Sequence, residues 1–295
     1  MSTIRPCPLC GRTDARPHLT LAQHKIEIVR CRGCGLLYRP VSFDDLAVLY
    51  TEDYYRHKSA EEAQWGGSGD YVADRDRLLR TFDEHVAQIE QRHARGRLLD
   101  VGCATGCLLE AARRRGWEVV GLEISDYAAS YAQREFGLDV RIGTVETTRF
   151  PDGHFDVITA FEYIEHVDDP AGILRQVRPW LKSDGLLVMT TPNAGSWAAR
   201  RHPERFDGFL EWRHLVYFSR RTMTQLLRQA GFEPTEIQTD FALVTVNTLA
   251  GWGVARPERW RAAVNRVAPG LKRVIRRVLG AWCGGSSMKI YAKPV

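Results

Sequence analysis

Arg97-Leu98-Leu99-Asp100-Val101-Gly102-Cys103-Ala104-Thr105-Gly106 decides the fold. Leu98, Leu99 and Val101 read as a short buried strand with an acid, Asp100, inside it. Gly102 and Gly106 follow, and Cys107 to Arg115 read as a helix. A strand, a tight glycine turn and a helix start form the opening unit of a nucleotide-binding α/β fold. The spacing D-x-G-x-A-x-G lacks the middle glycine of a dinucleotide fingerprint and the Gly-Lys-Ser/Thr of a phosphate-cradling loop. An acid ahead of the turn repels phosphate and suits a ligand with ammonium and sulfonium groups.

Further along, Trp117 to Glu123 is an apolar, β-branched strand ending in an acid. Glu123 falls roughly 20 residues after the first strand, where an acid holds ribose hydroxyls. Ala128 to Phe136 reads as a helix closed by Gly137, and Asp139 to Gly143 as a third strand before Thr144-Val145-Glu146. A fourth strand, Phe155 to Phe161, leads into Glu162-Tyr163-Ile164-Glu165-His166-Val167. Asp169-Pro170 starts a helix predicted to run to Leu181, and Gly185 to Thr191 is a fifth strand. Thr222 to Ala230 is an amphipathic helix stopped by Gly231; Phe232 to Thr239 and Ser286 to Ala292 complete the strands. Strands alternating with helices predict a parallel sheet covered on both faces, binding ligands at the carboxyl ends of its strands.

Upstream, Cys7, Cys10, Cys31 and Cys34 are spaced C-x2-C-x20-C-x2-C, the pattern of a four-thiolate Zn²⁺ site. A structural metal supplies stability that so short a segment cannot draw from its own core. The strand-like stretch His24 to Arg30 lies between the knuckles, and Leu36-Leu37-Tyr38 predicts docking onto the main body. The domain reading is therefore 1–40 zinc ribbon, 41–95 helical linker or lid, and 96–295 α/β domain with a helical insertion at about 242–285. In the linker, Phe43 to Tyr50 reads as a short helix, Gly66 to Gly69 as a flexible turn, and Asp74 to Arg92 as a longer helix.

A hydrophobic fraction of 44% and a charged fraction of 26% are those of a globular chain. No apolar run is long enough for a membrane span, and the N-terminus carries Arg5, Cys7 and Cys10 where a signal peptide would be apolar. The expected location is cytoplasmic. Residues 242–285 form an insertion, and Arg256 to Arg277 holds eight basic residues, one acid and apolar positions at helical spacing. This predicts peripheral contact with a membrane or polyanion, or else a packed helix or homodimer contact.

Together, D-x-G-x-x-x-G, Glu123-Ile124-Ser125, Phe155-Asp156-Val157, Glu165-His166-Val167 with Asp169-Pro170, and Thr190-Thr191-Pro192-Asn193 resemble the ubiquinone O-methyltransferase-like branch of the class I S-adenosylmethionine-dependent methyltransferases. The ribbon and the tyrosine-rich segment are similar to a subgroup associated with polysaccharide or natural-product pathways. The resemblance implies a Rossmann-like seven-stranded sheet, mostly parallel with an antiparallel last strand, and a helix before the first strand that closes over the cofactor. It places S-adenosylmethionine at Asp100, Gly102, Cys103, Thr105, Gly106, Glu123, Ile124, Thr144, Val145, Phe161 and Glu162. Ala104 departs from the glycine of many relatives, which is compatible with cofactor binding if φ there is negative.

Methyl transfer from a sulfonium needs positioning and, for a hydroxyl acceptor, a general base. His214 and His166 are the candidate catalytic residues. Tyr50, Tyr54, Tyr55, Trp212 and Arg213 are the expected substrate contacts, with Arg213 suited to a phosphate-bearing acceptor. The reading is O-methylation of a small molecule: a sugar or glycan intermediate, or a natural-product metabolite such as a phenol. Two alternatives are a nucleic-acid methyltransferase using the ribbon as reader, and a non-catalytic cofactor-binding protein. The chain lacks Asn/Asp-Pro-Pro-Tyr/Phe after the fourth strand, which argues against the first, and intact Asp100, Gly102, Gly106 and Glu123 argue against the second.

Overall fold

The computed structural model describes residues 5–22, 25–42, 47–56, 70–240 and 285–295. The insertion, Phe43 to Leu46 and the Gly66 to Gly69 turn lie outside the described residues. The N-terminal part contributes β1 (Ala15–Leu21), β2 (Ile26–Cys31) and β3 (Leu37–Tyr38), all antiparallel. β1 was not expected from the sequence, because Pro17 breaks its pattern; it is an edge strand with a register shift between Pro17 and Leu19, where proline is tolerated.

Two helices follow, α1 (Glu52–Arg56) and α2 (Arg75–Glu90). Then come β4 (Arg97–Val101), α3 (Cys107–Arg114), β5 (Glu118–Glu123), α4 (Asp126–Phe136), β6 (Val140–Ile142) and β7 (Phe155–Phe161). The chain continues through α5 (Pro170–Val177), β8 (Leu181–Pro192), α6 (Trp197–Arg201), α7 (Asp207–Leu210) and β9 (Val216–Tyr217). It closes with α8 (Arg220–Gln229), β10 (Phe232–Asp240) and β11 (Ser287–Pro294). The predicted helix to Leu181 is corrected: α5 stops at Val177, because Pro179 has no N–H for the next helical bond, and Leu181 opens β8.

The main sheet has seven strands in the order β10-β11-β8-β7-β4-β5-β6. β6, β5, β4, β7 and β8 run parallel, and β11 is antiparallel to both of its neighbours. The chain's direction of progress across the sheet reverses at β4, between β5 and β7, so the ligand crevice opens beyond the carboxyl ends of β4 and β7. One core face packs α2, α3 and α4 through Val86, Ile89, Leu108, Leu109, Ala129 and Ala132. The opposite face packs α5 and α8, and its cluster runs on without a break into Cys7, Leu9, Val29 and Leu36 of the ribbon.

The expected docking of Leu37 and Tyr38 takes a specific form. β3 pairs with β9, joining Leu37 to Tyr217 and Tyr38 to Val216, so a second, four-stranded sheet ordered β1-β2-β3-β9 contains one strand from the α/β domain. The Arg39 N–H donates to the carbonyl of Leu215 at 2.9 Å, and the Arg5 guanidinium caps the same carbonyl at 3.3 Å while pairing with Asp168.

Candidate active site

The glycine turn after β4 adopts the shape its residues require. Gly102 has φ 73, and a Cβ there would meet the Tyr163 ring at 2.7 Å. Ala104 does not meet the condition of a negative φ: its φ is 48, a left-handed conformation that costs a non-glycine residue about 1 kcal/mol or more. Its N–H donates to Glu123 Oε2 at 2.8 Å, which holds the strained residue in place. Asp100 is buried, accepts from the Thr159 hydroxyl at 2.6 Å, and is pushed up to about 7, mainly by burial. Glu123, also buried, accepts from the Ser125 N–H at 2.9 Å and from Tyr55 Oη at 3.4 Å; burial raises its pKa despite these donors.

The other expected cofactor residues divide by exposure. Gly102, Ile124, Thr144 and Phe161 are partly open along the strand ends. The side chains of Cys103, Thr105 and Val145 are buried. Thr144 bonds within its own turn, to Thr147. Glu162 also has a positive φ, 48. Its surface is exposed, yet surrounding protein raises its pKa by desolvation. A side chain lining a recess inside the protein satisfies both observations.

Beyond the strand ends lies a ladder of rings. Tyr55 packs on Tyr54 at 4.9 Å between centroids, Tyr54 on Tyr50 at 5.0 Å, Tyr50 on His166 at 6.2 Å and His166 on His214 at 4.7 Å. Tyr71 and Tyr127 flank Tyr55. The ladder runs from Glu123, which Tyr55 Oη meets at 3.4 Å, to the two candidate histidines. Arg213 is buried with its guanidinium 2.9 Å from Glu211 and stacked on the rings of Tyr54 and Trp212. Glu211 already balances the charge that a phosphate would require.

His166 sits in a single turn of 3-10 helix, Ile164–His166, after β7; His214 comes from the loop before β9. Tertiary packing brings them together with Glu165, which sequence reasoning did not select. The available signal was two acids three positions apart followed by histidine, Glu162, Glu165 and His166, on one tight turn. One donor atom from each of Glu165, His166 and His214 lies within 4.8 Å of the others. His214 Nδ1 is 2.8 Å from the Gly208 carbonyl and His166 Nδ1 3.3 Å from that of Arg213. A carbonyl only accepts, so each Nδ1 carries a proton and each neutral ring keeps its Nε2 lone pair. Burial holds both imidazoles below their ordinary pKa, with each other's proximity adding to the effect at His166. Burial, and then the Glu162 charge, hold the Glu165 carboxyl well above its usual range.

In the ribbon, Cys7 and Cys34 Sγ are 3.5 Å apart, as are Cys10 and Cys31. All four sulfurs lie within 4.8 Å of one another. Tetrahedral Zn²⁺ with ~2.3 Å bonds sets its sulfurs about 3.8 Å apart, so the four thiols fit that ion.

A family model for the methyltransferase domain matches residues 71–237, more than half of the chain. The chain belongs to this methyltransferase family. It is an S-adenosylmethionine-dependent methyltransferase. The chain is 33% identical over 182 residues to a ubiquinone biosynthesis O-methyltransferase of Marinobacter nauticus, a match spanning 54% of this chain and 71% of that one. It is 33% identical over 170 residues to the protein of that name from Ruegeria pomeroyi, spanning 52% of this chain and 66% of the relative. Two solved methyltransferases share the fold. One, from Archaeoglobus fulgidus, has a TM-score of 0.53 at 18% identity and covers 84% of this chain and 100% of its own. The other, from Thermotoga maritima, has a TM-score of 0.51 at 20% identity and covers 76% of this chain and 97% of its own.

Proposed function

We propose that this methyltransferase transfers a methyl group to the hydroxyl of a small, planar, phenolic acceptor held at Glu165, His166 and His214. The observation that carries this reading is the meeting of a buried carboxyl and two neutral imidazoles beyond β7, at the far end of an aromatic ladder from the ribose-binding acid. S-adenosylmethionine supplies an electrophilic methyl carbon on its sulfonium. The Tyr50, Tyr54 and Trp212 rings offer flat apolar walls, which favour a phenol over a sugar. Arg213, balanced by Glu211, gives no free charge for a phosphate-bearing acceptor. As the acceptor oxygen bonds to the methyl carbon, the carbon–sulfur bond breaks and sulfur keeps its electron pair. The hydroxyl proton leaves at the cluster, where neutral His214 is positioned to receive it. The O-methyltransferase names of the sequence relatives support an oxygen acceptor.

We also propose that Cys7, Cys10, Cys31 and Cys34 hold one structural Zn²⁺. Four protein ligands leave no open position, so the role is structural. The test of the main reading is a panel of phenolic acceptors with the wild type and His214→Ala. The expected result is a loss of roughly 10²–10⁴-fold in kcat for the accepted phenol, with cofactor affinity intact. A His214→Ala enzyme turning over near the wild-type rate removes the cluster from the reaction.

A further inference from the structure

We propose that the ring of Tyr163 lies under the sulfonium of bound S-adenosylmethionine and holds that cation against its π face. The order of the strands leads there. The ribose is taken at Glu123, at the end of β5, and the methyl group is delivered toward His166 and His214, beyond β7. The strand between β5 and β7 is β4, so the sulfonium crosses the end of β4. Tyr163 covers that place. A Cβ added at Gly102, the first residue after β4, would meet three carbons of the Tyr163 ring, the nearest at 2.7 Å. Glu162, with its positive φ of 48, turns the chain leaving β7, and Tyr163 follows it directly at the start of the 3-10 turn. The ring packs against the main core cluster but is only partly buried, so it keeps some surface for a ligand.

A sulfonium is a permanent cation with no N–H or O–H to donate, so hydrogen bonds cannot fix it. The negative face of an aromatic ring can, and more strongly where water is excluded. The surroundings of Tyr163 suit a cation as well. Burial first, then the charges of Glu146 and Glu123, raise the pKa of its phenol, so two carboxyls lie within electrostatic reach of the ring. Among the described residues its hydroxyl makes no hydrogen bond, which leaves the ring as the part the site uses. Methyl transfer turns the sulfonium into the neutral thioether of S-adenosylhomocysteine. The attraction to the ring ends with that charge, so Tyr163 favours the methyl donor over the spent cofactor. This inference rests on the family assignment and on Glu123 as the ribose acid.

The experiment titrates the full chain with S-adenosylmethionine and, separately, with S-adenosylhomocysteine, by calorimetry at one pH. Tyr163→Leu is expected to weaken S-adenosylmethionine by roughly 3- to 30-fold and S-adenosylhomocysteine by no more than about 2-fold, because only the first carries the cation. Retained S-adenosylhomocysteine binding reports that the variant is folded. Tyr163→Phe, which keeps the ring, should restore the wild-type ratio of the two affinities. Tyr163→Met, whose flexible chain refills the volume, repeats the comparison should the leucine variant not fold. Equal losses of both ligands in Tyr163→Leu and Tyr163→Met would show that the ring only shapes the wall, and would overturn the proposal, as would affinities unchanged in both. Glu123→Ala separates this inference from its premise, because the ribose is common to both ligands. If Glu123→Ala weakens both alike while the Tyr163 variants leave the ratio unchanged, only the role of Tyr163 fails. If Glu123→Ala weakens neither, the ribose lies elsewhere and the placement of the sulfonium falls with it.

Discussion

At the scale of single residues, the site is governed by burial acting on charge. Asp100 shows this most directly. A carboxyl ordinarily ionised near 4 is held up to about 7 because it lies inside the sheet with Thr159 as its hydrogen-bonding neighbour. The sign follows from linkage. Between about pH 4 and 7 the unfolded chain has lost this proton and the folded chain keeps it, so this residue's contribution to stability falls as pH rises. Binding a sulfonium and an ammonium group works in the opposite direction, because only the ionised acid attracts them. S-adenosylmethionine affinity is therefore expected to rise as pH increases from 6 through about 7 and then to level off. Calorimetric titration across that range checks it, and Asp100→Asn should flatten the slope; a wild-type affinity independent of pH would contradict the assignment. Ala104 carries a related lesson. Its positive φ was not legible in the sequence, because the Glu123 carboxylate that holds its N–H arrives from another strand.

At the scale of elements, the β3–β9 pairing links the ribbon to the loop that carries His214. β9 begins two residues after His214, and the loop before it is pinned from the ribbon by Arg39. The Arg39 main chain bonds the Leu215 carbonyl and its guanidinium bonds that of Trp212. Arg39 is 8% exposed and sits outside the cluster, so it acts by positioning. Arg39→Ala is expected to lower turnover of the proposed acceptor by roughly 10- to 100-fold, since a displacement near 1 Å costs that order. S-adenosylmethionine affinity and zinc content should hold, and Arg39→Lys should recover part of the rate. Equal losses in cofactor affinity and turnover would point to general destabilisation instead. The helices of the α/β core were legible because each is set by local signals: Ser125 caps α4, Asp169 caps α5, and Ser219 forms a capping box on α8. Two-residue strands such as β3 and β9 have no local signal, because each exists only through its partner.

At the scale of the whole molecule, the ribbon and the catalytic domain share one hydrophobic cluster, in which Cys7, Cys31 and Leu36 join Leu99, Ile158 and Met223. They also share a sheet and the Arg5–Asp168 ion pair. A shared core predicts one calorimetric unfolding transition. Removing the proposed zinc with a chelator should lower its midpoint on the order of 10 °C without splitting it. Two separated transitions would show the ribbon to be an independent unit. The sequence by itself determined the α/β class, the glycine turn after the first strand of the sheet and the pairing of the four cysteines. Those features are written in contiguous spacing, whether hydrophobic period, glycine turn or paired cysteines, and short-range sterics fix them wherever they occur. Only the tertiary structure decided that Glu165 joins His166 and His214, that Glu211 balances Arg213 under the tyrosine ladder, and that the N-terminal sheet holds the loop before β9. Those contacts join segments far apart in the chain, and they depend on how the crossover after β7 and the strand β9 pack against one another.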